Sequence, residues 1–209
     1  MKWRLVLFGL VMLGGCAFLP PKPASVARPA NSESAAFALN GRISVKHLAE
    51  RQSAGLHWKH QAQSDEILLL TPLGQTAARV YRDDGMATLD EGGNHYQDVD
   101  AESLMQQVLG WHLPLNGLHY WVLGKADPAV PAQIERAGNG RIAVLRQDGW
   151  EVRFLHYADS QPGDMADCAQ SAGCNGNRPE ADSLPTRLQL SREDMQVQLL
   201  IDEWDWGPQ

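Results

Sequence analysis

The chain has 209 residues, with 18 Lys and Arg against 25 Asp and Glu and a formal net charge of −7. So acidic a chain is a poor prospect for nucleic acid, where binding rests on Lys and Arg neutralising phosphates. It also gains nothing from electrostatic attraction to anionic lipid. The length suffices for one domain with a real core, and seven Trp supply large apolar surface to fill it.

At the front, Lys2 and Arg4 precede an apolar run from Leu5 to Leu13 that only Gly9 interrupts. That is the pattern of an export signal, too short for a permanent membrane span. Small residues then lead straight into a cysteine, Leu13-Gly14-Gly15-Cys16, a stretch that resembles the lipobox of bacterial lipoproteins. The resemblance implies that residues 1–15 are a signal peptide cut before Cys16. Cys16 then carries a diacylglycerol on sulfur and a third acyl chain on its new amino group. Without Lys2 and Arg4, the 18 basic residues become 16 against 25 acidic ones, a net of −9. Membrane attachment must therefore rest on covalent lipid and apolar contact. No apolar run after Cys16 reaches spanning length. Residues 16–34 form the lipidated cysteine and a tether with four prolines and few large apolar groups. At about 3 Å per residue the tether reaches roughly 50 Å from the bilayer when extended.

A single domain is expected over residues 35–209. Phe37, Leu39, Ile43 and Val45 share one parity against Asn40, Arg42 and Ser44, which predicts a strand with one buried face. Gly41 falls on the apolar parity and marks a bend, a bulge or a close backbone approach. Ala54, Leu56 and Trp58 repeat the alternation after a polar turn. Ile67 to Leu70 is apolar on both faces and stops at Thr71-Pro72-Leu73-Gly74. Ala77 to Arg82, Met86 to Asp90 and His95 to Gln97 follow as short strands. They are separated by the turn signals Asp83-Asp84-Gly85 and Glu91-Gly92-Gly93-Asn94. The period then changes: Ala101, Leu104, Met105 and Val108 fall at helical spacing between Asp100 as N-cap and Gly110 as stop. Residues 110–124 are dense in aromatic and aliphatic groups and broken by Pro114, which suggests a short turn of helix and then a strand. Further strands are expected from Ile134, over Ile142 to Leu145, over Trp150 to Phe154, from Leu184 to Leu190, and from Met195 to Trp204. Residues 158–183 lack periodicity and read as an exposed loop.

In total this gives ten or eleven strands and one or two helices, a mainly β protein of α+β class. The arrangement that fits is a strongly curved antiparallel sheet, an open half-barrel with helices over its concave face.

Cys168 and Cys174, separated by five residues, are expected to form a disulfide in an exported protein. They are too few for a zinc site. The sequence carries no nucleophile elbow, no His-Glu-x-x-His and no phosphate-binding glycine loop. His57 and His60, three apart on a strand, point to opposite faces. His112 and His119 read as satisfied or rim histidines. The acidic pairs at 83–84 and 193–194 read as turn residues. No enzyme activity and no cofactor are expected.

Three segments together carry a second resemblance. They are Phe37-x-Leu39-x-Gly41-Arg42-Ile43-x-Val45, then Gly110-Trp111-x-Leu113-Pro114-Leu115-x-Gly117-Leu118-x-Tyr120-Trp121-x-x-Gly124, then Leu184-Pro185-x-Arg187-Leu188-x-Leu190. With Asp148-Gly149-Trp150 and the lipobox they resemble the LolB family of outer-membrane lipoprotein-localisation receptors over nearly all of residues 37–204. The loop at 158–183 looks like an insertion relative to that pattern. The resemblance implies an open half-barrel with a helical lid over an apolar cavity. It implies a protein that takes triacylated lipoproteins from a LolA-like periplasmic carrier and inserts them into the inner leaflet of the outer membrane. It also implies that the partners are that carrier, lipoprotein acyl chains and outer-membrane phospholipid, and that the protein is a monomer. Pro72, Leu73 and Gly74 match the family's membrane-insertion loop, whose leucine protrudes; the alternative is a plain turn with Leu73 folded onto the core. Trp58, Leu69, Trp111, Leu113, Tyr120, Trp121 and Trp150 are candidates to line the cavity or simply to pack. Arg42 and Arg187 could close hydrogen bonds at the rim or pair with strand acids. Ala17, where similar lipoproteins retained at the inner membrane carry aspartate, points to the outer membrane with the domain facing the periplasm.

The chemistry of the cargo fits such a device. A 16-carbon chain carries about 12 kcal/mol of transfer free energy at ~0.8 kcal/mol per methylene. Three such chains need an apolar hollow, incompletely filled, to cross water. The competing readings are a lipid-anchored scaffold for outer-membrane assembly without a lipid cavity, and a tethered cell-wall hydrolase.

Overall fold

The computed structural model describes residues 36–62, 64–83, 85–158 and 184–206. The expected signal peptide, Cys16, the tether, Asp84, and the segment with Cys168 and Cys174 lie outside them. β1 (Phe37–His47) buries Phe37, Leu39, Ile43 and Val45 and turns Asn40 and Arg42 outward, as the alternation predicts. β2 (Glu50–Gln61), β3 (Ser64–Leu70), β4 (Thr76–Arg82), β5 (Ala87–Glu91) and β6 (Asn94–Asp98) continue as an antiparallel meander. β11 (Met195–Asp205) pairs with the other side of β1. Beyond it lie β10 (Pro185–Arg192), β9 (Trp150–Tyr157), β8 (Ile142–Gln147) and β7 (Ala132–Arg136).

One sheet of eleven strands results, in the order β6-β5-β4-β3-β2-β1-β11-β10-β9-β8-β7, with β6 and β7 as its two edges. At ~4.8 Å per strand this sheet is roughly 50 Å wide if flat. Yet Leu89 of β5 and Leu145 of β8 belong to one apolar core, so the sheet wraps around that core.

At Gly41 the register with β11 slips, a β-bulge. A Cβ built there would meet the Leu200 carbonyl oxygen at 2.1 Å. The glycine is therefore required by close backbone approach. The two helices fill the open side. α1 (Ala101–Leu109) starts at Asp100, whose carboxylate accepts from the Glu102 and Ser103 N–H groups, and ends at Gly110 with φ 78°. It packs on β4, β5 and β6. α2 (Leu115–Trp121) follows Pro114.

Two expectations need correction. No strand follows the short helix in residues 110–124. Leu115, Leu118, Trp121 and Val122 instead follow a helical spacing and are all buried, and tight turns run on to Gly124. β9 runs three residues past Phe154, to Tyr157. The Ala158 N–H donates to the Leu184 carbonyl at 2.8 Å, just beyond the end of β9 and just before the start of β10.

Candidate functional site: the apolar interior and its helical cover

The sheet's buried face, α2 and the residues leading into it enclose a purely apolar space. Its walls are Ile43, Leu56, Trp58, Ile67, Leu190, Val197 and Leu199 from the sheet, with Leu113 and Leu118 from the cover. Alternation puts the sheet residues there, and helical spacing puts Leu118 opposite them. The free volume is only ≈10 Å³, about the threshold for a single water. The sequence led to a partly vacant interior; the structure has side chains filling it. The cause is the cover, which brings Leu113, Leu115, Leu118 and Trp121 down onto the sheet. Of the seven lining candidates, Trp58 and Leu113 reach this space. Leu69, Trp111, Trp121 and Trp150 are buried elsewhere in the core, and Tyr120 is half-buried against it. Trp111 Nε1–H reaches Gln52 Oε1 at 3.0 Å. The Trp121 ring lies so close over Gly117 that a Cβ there would meet it at 2.5 Å.

The cover is fixed to the sheet by few polar contacts. Trp121 Nε1–H donates to Gln147 Oε1 at 2.9 Å. Gln147 is buried and fully engaged. It also accepts from the Asp127 N–H and donates to the Asp127 and Val130 carbonyls. At the other end of α2 sits a buried acid that the sequence reading missed. Asp65 is 2 % exposed. Its carboxylate accepts from Trp58 Nε1–H at 2.7 Å, from His60 Nδ1–H at 2.8 Å and from Arg82 Nε–H at 2.6 Å. Arg82 also donates to Asn116 Oδ1 of α2 at 2.6 Å. His60 stacks on His119 of α2 with ring centroids 4.7 Å apart. Burial pushes the Asp65 carboxyl up, but His60 and Arg82 outweigh it and hold the group below the ordinary carboxylate range. Burial lowers the His119 pKa, and the nearby His60 adds to that effect. The signal was legible: His60 and Arg82 each continue the apolar parity of their strand one step past its last apolar residue, and Asp65 holds the same parity one step before the first of its own.

Glu102 on α1 is partly buried beside α2. Its pKa is raised to about 7, by burial first and then by the charge of Asp100; Arg82 opposes the shift. His112 bonds Gln106 at 3.1 Å, and burial lowers its pKa. His57 faces outward and bonds Asn40 at 2.7 Å.

Between β3 and β4, the Thr71–Gln75 turn is closed by the Thr71 N–H to the Gln75 carbonyl at 2.8 Å and by the Gly74 N–H to the Thr71 carbonyl at 2.9 Å. Leu73 stands at its tip, 86 % exposed, flanked by exposed Pro72 and Gly74. Arg42 forms a two-pronged pair with Asp202 at 3.0 and 3.2 Å, and Arg187 is exposed. Among the described residues no group of His, Cys, Asp and Glu could hold a metal ion.

An open, one-sided antiparallel sheet, wrapped around an apolar interior and covered by two helices, defines the structural class. Within that class the chain belongs to the LolB family: the family model described as outer membrane lipoprotein LolB matches residues 35–171. It is 37% identical over 169 residues to the outer-membrane lipoprotein LolB of Nitrosomonas europaea, covering 80% of this chain and 72% of that one. It is 33% identical over 205 residues to the LolB of Chromobacterium violaceum, covering 96% and 98%. With the LolB of Thiobacillus denitrificans it shares 31% identity over 198 residues, covering 94% and 93%.

Proposed function

We propose that the protein is a lipid-anchored receptor that accepts triacylated lipoproteins from a periplasmic carrier and delivers them to the inner leaflet of the outer membrane. Membership of the LolB family supports a lipoprotein-localisation role at that membrane. In this reading residues 1–15 are removed, Cys16 is the anchor, residues 16–34 are the tether and the rest is one domain in which 158–183 is an insertion. A Cys168–Cys174 disulfide would staple that insertion without a part in transfer.

The observation that carries the reading is the continuous apolar interface between sheet and cover. Apolar contact is non-directional, so acyl chains can replace the helices' side chains against the sheet with little loss. The interior described above is then the empty, closed form, and cargo enters as α2 lifts. Leu73, exposed on a turn built by local hydrogen bonds, supplies an apolar tip for the bilayer. Transfer has no nucleotide to drive it and runs downhill in affinity from carrier to receptor to membrane.

The test is transfer of a labelled lipoprotein from its carrier to liposomes, with and without this protein. Transfer that depends on the protein, and stops with Leu73→Glu while cargo acceptance persists, supports the reading; transfer indifferent to the protein overturns it. The packed interior is also what a scaffold without a lipid cavity would show. A fluorescent fatty acid separates the two, because a scaffold gives no saturable uptake.

A further inference from the structure

Both helices lie on the buried face of the sheet, which leaves its outer face bare. One row of directly opposed residues crosses five strands there: Leu70 of β3, Gly55 of β2, Arg42 of β1, Leu200 of β11 and Arg187 of β10. Opposed residues share a face of a sheet, and in each of these strands the buried parity falls on the neighbouring position. Gly55 leaves a gap in the row, and a Cβ there would meet the Leu70 Cβ at 3.2 Å. Arg42 and Arg187 stand on either side of half-buried Leu200, their Cα atoms about 10 Å apart at ~4.8 Å per strand. With Leu155, which is 44 % exposed, and Pro72, they line an open trough of ≈570 Å³, the size of many small-ligand sites. Pro72 belongs to the turn whose tip is Leu73, so the trough runs up to that tip.

Charge decides what fits. The chain carries a net −7, yet among the described residues Arg187 has no carboxylate partner. Arg42 pairs with Asp202, but the two side chains are 65 % and 49 % exposed, and such pairs hold weakly. The guanidinium forks match the oxygens of a phosphodiester. Leu200 and Leu155 beside them offer apolar contact that a soluble phosphate ester has no use for. A phospholipid carries both parts, and the Leu73 turn places the trough beside a bilayer.

We propose that the Arg42–Leu200–Arg187 row on the sheet's outer face is a phospholipid headgroup site that seats the domain on the bilayer in one orientation. The inference rests on reading the Leu73 turn as the part that meets the bilayer. The acidic chain as a whole is not drawn to lipid, so the row orients an anchored domain rather than recruiting it.

The test is arginine footprinting with phenylglyoxal on the full-length lipidated protein, read by mass spectrometry. One sample sits in vesicles of phosphatidylethanolamine with about a quarter phosphatidylglycerol, the other in micelles of an uncharged sugar detergent. Arg42 and Arg187 are expected to react about fivefold more slowly in vesicles, while Arg136, exposed on the edge strand β7, reacts alike in both. Arg187→Glu should return Arg42 to its micelle rate at unchanged Tm, because Arg187 is exposed. Equal rates in vesicles and micelles, equal protection of Arg136, or protection of Arg42 that survives Arg187→Glu each overturns the site. Equal protection by inorganic phosphate added to the micelles also overturns it, since that marks a site for free anions. If both arginines stay unprotected while Leu73→Glu still blocks delivery, the tip reading stands and the headgroup site fails. If they are protected while Leu73→Glu delivers normally, the headgroup site stands and the tip reading fails.

Discussion

Gly41 and Leu73 show how much a single position can carry. At Gly41 the obstacle to any side chain is the backbone of β11, which cannot rotate away as a side-chain tip could. Gly41→Ala should therefore cost about 2–3 kcal/mol, read as a lowered urea midpoint at unchanged slope; a change under about 0.5 kcal/mol would mean that the bulge re-registers freely. Leu73 is the opposite case. Its side chain is 86 % exposed, so Leu73→Glu should move stability by no more than about 0.5 kcal/mol while abolishing delivery to liposomes. A variant that unfolds would place Leu73 in the core. Gly41 was legible in advance because it interrupts an apolar parity. The Asp65 network was legible too, but charged residues at strand ends read as turn chemistry. Only the pairing of Trp58, His60, Asp65 and Arg82 across three strands shows that the same parity carries them inward.

At the scale of elements, the junction of the two helices is governed by Glu102. Its folded pKa of about 7 lies above the ordinary 4.5, so the folded state binds a proton that the unfolded chain releases. Stability from this group is present below the unfolded value and is lost as pH rises through about 7. Glu102→Gln should raise Tm at about pH 8 and leave it nearly unchanged at about pH 5. Thermal scans at the two values check this, and an equal shift at both would show that ionisation is not the cause. Element types were legible wherever one period ran uninterrupted, as in β1, β11 and α1. The full extent of α2 was not, because Pro114 and a crowd of aromatic groups mask the helical spacing of Leu115, Leu118, Trp121 and Val122.

At the scale of the molecule, a sheet of eleven strands could not bury one face without either wrapping or being covered, and here it does both. That much follows from the strand count and the two central helices, and it was legible in the sequence. The free volume inside was not, because it depends on how Leu113, Leu118 and the sheet side chains interlock, which no periodicity encodes. A filled interior and a role in carrying acyl chains are compatible only if the cover moves. The most direct test is equilibrium titration of the protein with a fluorescent 16-carbon fatty acid. The account predicts saturable uptake that a triacylated lipoprotein displaces and that Val197→Phe, which thickens the interior wall, weakens at least about fivefold. Uptake that never saturates, or that is indifferent to both competitor and substitution, would contradict it.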